Sequence, residues 1–592
     1  MSSKPKPKQA SAMHFKTVAG LFSVLAVALG TAYANTPSRE TSFTNPILPG
    51  WNSDPSCAFV KELDNTFFCT TSSFLAFPGI PVYASKDLVN WKHASNALSR
   101  PEQLPELDFN GQQMEGIWAS TIRYRKGYFY LITSYITWSP WGPKILLFRT
   151  KNPYSDNWEG PQHIENPGND IDPDLFWDDN GKVYMSVAAG IYISEVDLST
   201  GKASKPARVW NGTGDRNPEG PHLYKKDGYH YLLIGEGGTE LNHSVTIARG
   251  KSPTGPFKGY EGNPILTAKN TNNYFQTVGH ADLFQDADKN WWGIALATRS
   301  GPDWEIFPMG RETVLFPVKW AKGKWPSLAP VKGRMSGPLP KKNRNVPASG
   351  HWINEPDRVD FKPGSKLPKH FSTWRLPKAS LFAISPPGHP NTLRISPSRV
   401  NLTADEDFEP KDDGLAFVFR KQAATTFDYS VDISFSPKVA DEEAGITVFL
   451  TQFQHVDLGI INLQKGKDKK PVLTFRFRVE ASGKPEYKKV PKTKEVAVPK
   501  HWVGKTIRLY ARAKNDKEFV LSAALASRPN EEKVLGSASG AILSGGSGPF
   551  TGTVVGTYAT RNGGKGKTPA YFSRWRYTNI AQKISESETV PA

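Results

Sequence analysis

Residues 172–187 read DPDLFWDDNGKVYMSV. An Asp-Pro opening leads into an apolar run, a turn built from Asp, Asn and Gly, and a second run in which apolar and polar residues alternate. That is the pattern of two antiparallel strands, because alternation sends every second side chain to the same face and Gly or Asp relieves the turn. The same grammar recurs four times. Residues 54–60 read DPSCAFV, 118–124 WASTIRY, 219–234 EGPHLYKKDGYHYLLI and 280–296 HADLFQDADKNWWGIAL. A third strand-like run follows most of them, at 81–87 (PVYASKD), 145–150 (ILLFRT), 191–197 (IYISEVD) and 245–250 (VTIARG). A repeat of roughly fifty to sixty residues is the length of a four-stranded blade with variable loops, so the first half of the chain is expected to form a five-bladed β-propeller.

The repeat carries a functional consequence. The first strand of a blade lies innermost, so residues that open equivalent strands should gather at one mouth of the channel. That argument brings Asp54, Trp118, Asp172, Glu219 and His280 together across more than two hundred residues of sequence. Taken singly, each has an ordinary explanation: Asp before Pro is a common turn residue, and a lone His at a strand start usually makes a structural hydrogen bond. Gathered in one concavity, three carboxyl groups with a Trp and a His form a constellation and not a coincidence of composition.

Outside the repeat, residues 337–350 are rich in Pro, Gly and charge and mark a linker between a propeller over 35–336 and a second domain over 351–592. There, runs such as DYSVDISF, GITVFLTQ, VLTFRFRV and TIRLYARA alternate with polar turns and predict a two-sheet β-sandwich of jelly-roll type, making the whole chain all-β. This domain lacks a comparable set of acids and aromatics. It is expected either to shape the rim of the site or to bind carbohydrate as a separate module.

At the N-terminus, His14 and Lys16 precede an apolar run over 18–29 and Ala32-Tyr33-Ala34. This is a signal-peptide pattern with cleavage after Ala34, and its apolar core is too short to span a membrane. The expectation is a secreted, extracellular protein with no membrane partner. Export permits a disulfide between the only two cysteines, Cys57 and Cys69, which fall on two strands joined by a turn. Two buried thiols are the alternative. Glycosylation sequons stand at Asn211, Asn242 and Asn401; Asn242, next to His243 and near the pocket, is the poorest acceptor of the three. The formal net charge of +18 comes from scattered Lys and Arg without any nucleic-acid-binding motif, which reads as a solvated basic surface and not a nucleic-acid interface.

The motifs NSDPS (52–56), GIWAS (116–120), IDPDLFWDDNGKVY (171–184), PEGPHLYKKDGYHYLL (218–233), TVGHADLF (277–284) and GRETVLFPVKW (310–320) occur in an order that resembles glycoside hydrolase family 43. The likeness covers about residues 44–335, and the remainder resembles the β-sandwich of two-domain fungal members. The segments GWNSDPSC, YASKDLVNW, GEGGTELNHSVTIARG and YFQTVGHADLFQD are most similar to arabinofuranosidases acting on doubly substituted xylose in arabinoxylan; the β-xylosidase branch is a near relative. The resemblance implies an inverting reaction with Asp54 as general base, Glu219 as general acid and Asp172 as the group that orients Glu219 and raises its pKa. It places Phe74, Trp118 and Arg311 along the sugar subsite. It matches His280 to a channel histidine that, in several members, contacts calcium or its water shell; the chemistry itself requires no cofactor. Two departures stand out. LAFPG, with Leu75 and Ala76, replaces a Trp-containing EWFPG segment, which should reshape the entrance and weaken the xylosidase reading. Ser120 replaces a Pro. The expected enzyme is a monomeric exo-α-L-arabinofuranosidase on arabinoxylan or its oligosaccharides. The alternatives are a β-xylosidase acting on xylo-oligosaccharides and, in another class, a non-catalytic glycan-binding propeller.

Overall fold

A computed structural model describes residues 41–592 except 112, 189, 405–407, 410–412 and 467–469; the expected signal peptide over 1–34 lies outside the described residues. Five consecutive antiparallel sheets form the blades. They open with the strands Ser56–Val60, Gly116–Arg125, Ile171–Trp177, Glu219–Lys226 and Phe275–Gln285, and in each blade the later strands pair outward in chain order. The first strand of every blade touches that of the next, and the fifth touches the first, closing the ring. Among the described residues no strand is exchanged between the first and last blades. The segment before blade 1 instead runs along blade 5: Ile47 N–H donates to Thr313 O at 3.0 Å, Asn52 N–H to Arg311 O at 3.0 Å, and Thr41–Thr44 pairs with Arg334–Gly337.

Alternation along the strands builds the packing between blades. Tyr231, Leu233, Val245 and Ile247 of blade 4 join Phe275, Leu283, Ile294 and Leu315 of blade 5 in one apolar cluster with Phe67 and Tyr83 of blade 1. Cys57 and Cys69 stand opposite each other on the first two strands of blade 1 and form a disulfide.

The segment over 337–353 is strapped to blade 1. Asn343 N–H donates to Asp87 Oδ2 at 3.0 Å, His93 N–H to His351 O at 2.9 Å and Ile353 N–H to Trp91 O at 3.1 Å. The sandwich consists of a nine-stranded and an eight-stranded sheet around a single apolar core, running from Asp357–Val359 to Thr589–Pro591. Its eight-stranded sheet continues into the propeller, because Ala76–Phe77 adds to its edge beside Phe371–Trp374. This corrects one expectation. Leu75 and Ala76 are buried in the seam between the domains, where Trp51 packs against Trp374 with ring centroids 6.1 Å apart, so the LAFPG departure does not lie at the entrance of the site.

Candidate active site

The backbone at the head of the blades sets the site. Asp54, Ala119, Asp172, Gly220 and His280 all have positive φ, between 29° and 54°. In blades 2 to 5 a register shift falls at this point, between Trp118 and Thr121, Ile171 and Asp174, Glu219 and His222, and Gly279 and Asp282. A bulge of this kind bends the strand and redirects its side chains. The bulges also correct the equivalence read from the repeat. Asp54, Asp172 and His280 occupy one register, whereas Trp118 and Glu219 stand one residue before it, ahead of Ala119 and Gly220. All five nevertheless line one pocket, together with Phe74, Ile171, Asn217, Thr239, Glu240, Arg311 and Phe550. Gly220 is needed at its position: φ is 54°, and a Cβ would meet the His280 ring at 2.9 Å.

Two residues beyond each bulge, the period-two pleat creates a second inward layer of Ser56, Thr121, Asp174, His222 and Asp282. Arg123 reaches across it, with Nε 2.9 Å from Asp174 Oδ1 and Nη1 2.8 Å from Asp282 Oδ2. Burial would raise the Asp282 pKa, but Arg123 and His222 hold it well below the usual carboxylate range. This arrangement fits a channel cation poorly, since the acids beneath the pocket already share a guanidinium. Burial opposes a charge on His280, yet Glu219, Asp54 and Asp172 raise its pKa to about 9. The one other cluster of metal-ligand type among the described residues, His351, Asp357 and His370, lies at the domain seam. There Asp357 is paired with Arg420 at 3.0 Å and His351 Nε2 lies 2.7 Å from Glu355 O.

Asp54 is gripped on several sides. Arg311 donates from Nη1 to Oδ1 at 3.1 Å and from Nη2 to Oδ2 at 3.2 Å, and Ser72 Oγ donates to Oδ2 at 2.6 Å. Burial works against its charge, but Arg311, His280 and the serine hydroxyls outweigh it and keep Asp54 ionised below the ordinary carboxylate pKa. Asp172 behaves oppositely. Burial, helped by the charges of Glu219 and Asp54, overcomes His280 and the Gly220 N–H and lifts its pKa to about 6.

Glu219 departs from the expectation that its own pKa would be raised. Burial pushes it up, but His243 and His280 pull it down further. His243 Nε2 lies 3.1 Å and His280 Nδ1 3.7 Å from Glu219 Oε1. His243 Nδ1 lies 3.0 Å from the Thr277 carbonyl, which can only accept, so Nδ1 carries hydrogen and Nε2 is the atom that faces Glu219 Oε1. The ring fits because residue 279 is glycine; a Cβ there would stand 2.4 Å from it.

His243 and Phe550 were not singled out in the sequence. His243 opens the third strand of blade 4, outside the first-strand pattern, and its only signal is the facing glycine. Phe550 comes from the sandwich. Its loop is tied to the propeller by Thr553 N–H to Pro308 O at 2.8 Å and by Arg311 Nε to Phe550 O at 3.2 Å. Its ring lies 5.6 Å from Trp118 and 6.4 Å from Phe74, so the second domain supplies one wall of the pocket. Of the sequons, Asn211 and Asn242 are exposed, while Asn401 is half-buried with Nδ2 3.4 Å from Asn562 Oδ1.

Replacing His243 with Ala removes a group that lowers the Glu219 pKa. The alkaline limb of the kcat/KM profile is expected to move to higher pH as kcat/KM falls about tenfold. A pH–rate series on both proteins checks this, and an unmoved limb would leave His243 a packing residue only.

The pattern of glycosyl hydrolases family 43 matches residues 43–326, and that of the β-xylosidase C-terminal concanavalin A-like domain matches 358–578. The chain is 33% identical over 558 residues to a non-reducing end α-L-arabinofuranosidase of Bacteroides ovatus, covering 93% of this chain and 97% of that protein. It is 31% identical over 570 residues to a xylosidase/arabinosidase of Butyrivibrio fibrisolvens, covering 91% and 99%. A solved Bacteroides ovatus structure described as "Xyloglucan PUL GH43B" superposes with a TM-score of 0.77 at 32% identity, covering 91% of this chain and all of that one. Both end-to-end sequence relatives are bacterial, so the two-domain architecture does not by itself point to a fungal group.

Proposed function

The chain belongs to glycosyl hydrolases family 43 and is a glycoside hydrolase acting on arabinofuranosyl or xylosyl residues; from that premise we propose an inverting exo-α-L-arabinofuranosidase that strips arabinose side chains from arabinoxylan or its oligosaccharides. The observation that carries the chemistry is electrostatic. Asp54 is held ionised by Arg311, while Glu219 stands on the other side of His280 with His243 Nε2 3.1 Å from its Oε1.

Each group then has one task. Phe74, Trp118 and Phe550 hold the sugar, and Asp54 takes a proton from a water as its oxygen attacks the anomeric carbon. Glu219 gives a proton to the glycosidic oxygen as the carbon–oxygen bond breaks. When Asp172 ionises, its negative charge favours the protonated form of Glu219 and so assists the donor. No step calls on a metal. The N-terminal leader pattern supports secretion.

The choice of sugar rests on the end-to-end likeness to an arabinofuranosidase. A β-xylosidase is the second reading, favoured by the xylosidase names of other relatives, among them a Bacillus subtilis β-xylosidase 30% identical over 430 residues. Paired assays on 4-nitrophenyl α-L-arabinofuranoside and 4-nitrophenyl β-D-xyloside are expected to favour the arabinoside by roughly tenfold or more in kcat/KM. Faster xyloside cleavage, with xylose released from xylobiose, would reverse the assignment. Within arabinoxylan, the sequence likeness favours α-1,3-linked arabinose on doubly substituted xylose, which oligosaccharides carrying one or two arabinoses on a xylose would distinguish.

A further inference from the structure

Of the 17 tryptophans in the chain, only two are exposed, and they are neighbours: Trp138 at 41% and Trp141 at 43%. They face each other across the tight loop that links the second and third strands of blade 2, joined by an isolated bridge. Both rings meet Trp118 of the pocket edge-on, with centroids 6.3 and 6.4 Å away. Two indoles left in water beside a catalytic pocket form an apolar surface that folding did not bury, and such surfaces mark ligand contacts.

The loop is also fixed in place. Trp138 N–H donates to Glu115 Oε1 at 2.7 Å, and Trp141 Nε1 donates to Asn169 O at 3.4 Å, close to the strand that carries Asp172. Trp118 is itself anchored by Nε1 to Met114 O at 2.7 Å. The three indoles thus form a continuous aromatic path from the pocket wall outward, and little ordering cost would remain when a ligand binds.

We propose that Trp138 and Trp141 are a leaving-group subsite: a platform for the pyranose units of the chain from which the terminal sugar is cut. A pyranose presents C–H groups on its faces, which suit the electron-rich face of an indole. The inference rests on the glycosidase reading but not on which terminal sugar is removed. It makes the substrate an oligosaccharide or polysaccharide, whose leaving group is long enough to leave the pocket and lie on the loop.

The test compares kcat/KM on two substrates with the same terminal sugar. One is an arabinose-substituted xylo-oligosaccharide; the other is methyl α-L-arabinofuranoside, whose methanol leaving group cannot reach the loop. In the Trp138→Ala/Trp141→Ala double variant, the oligosaccharide-to-methyl ratio is expected to fall about tenfold. The Trp138→Phe/Trp141→Phe variant, which keeps an aromatic face, should recover most of it. Equal losses on both substrates, or an unchanged ratio, would overturn the platform. If xylose proves to be the terminal sugar, xylotriose and methyl β-D-xyloside make the same comparison, so an error about the sugar and an error about the platform give different results.

Discussion

Replacing Glu219 with Ala is expected to lower kcat/KM on arabinoxylo-oligosaccharides by about 10³-fold or more, while the protein stays folded. The side chain is 21% exposed into the pocket and belongs to no apolar cluster, so its removal leaves the core intact. The loss should depend on the leaving group. A sugar alkoxide cannot depart without a proton, whereas 2,4-dinitrophenolate is stable as an anion, so the 2,4-dinitrophenyl arabinofuranoside should suffer much less. Steady-state kinetics on both substrates read the difference. Equal losses would mean that Glu219 is not the proton donor, and activity within a few-fold of wild type would remove it from the mechanism.

The second large effect is expected at Asp54. Asp54→Asn should reduce turnover by about 10³- to 10⁴-fold on every substrate, whatever the leaving group, because water activation is needed for all of them. The amide keeps one oxygen for Arg311 but removes the charge paired with its buried guanidinium, so the melting temperature should also fall, by less than in the Ala variant. Asp54→Ala should also be inactive but less stable, since it leaves the buried Arg311 guanidinium without its carboxylate, a loss of the kind that costs about 3–5 kcal/mol. Proton NMR of the first product from the unaltered enzyme provides the companion measurement. The β-anomer of arabinofuranose should appear first. Initial formation of the α-anomer would make Asp54 a nucleophile in a retaining reaction and overturn its role as base.

Much of this site could be read in the sequence because a propeller repeats. Strand alternation and turn residues are local signals, and a repeat turns local equivalence into spatial proximity. DPS at 54–56 and DPD at 172–174 are more than a hundred residues apart, yet each places its Asp at positive φ, where Asp is tolerated. The offset of Trp118 and Glu219 from that register was less visible. A bulge adds one residue to one strand, and the letters WAS and EGP give little sign of where it falls. The role of LAFPG was misplaced for a different reason. Whether a buried Ala76 faces a pocket or a second domain depends on a strand from residues 371–374, and nothing near residue 76 encodes that pairing.

The sequence by itself determined the blades, the sandwich, the three acids and the family likeness, since each is written in patterns a few residues to one repeat long. Only the tertiary structure decided which charged groups surround each of those acids. That depends on distances of 3–4 Å between His243, His280, Glu219 and Asp54, which come from different strands and blades. Electrostatic energy at such range changes sharply with small displacements and with burial, and neither quantity is a property of any one stretch of chain. The pocket wall supplied by Phe550 and the exposed pair Trp138 and Trp141 belong to the same class: their meaning lies in what stands beside them.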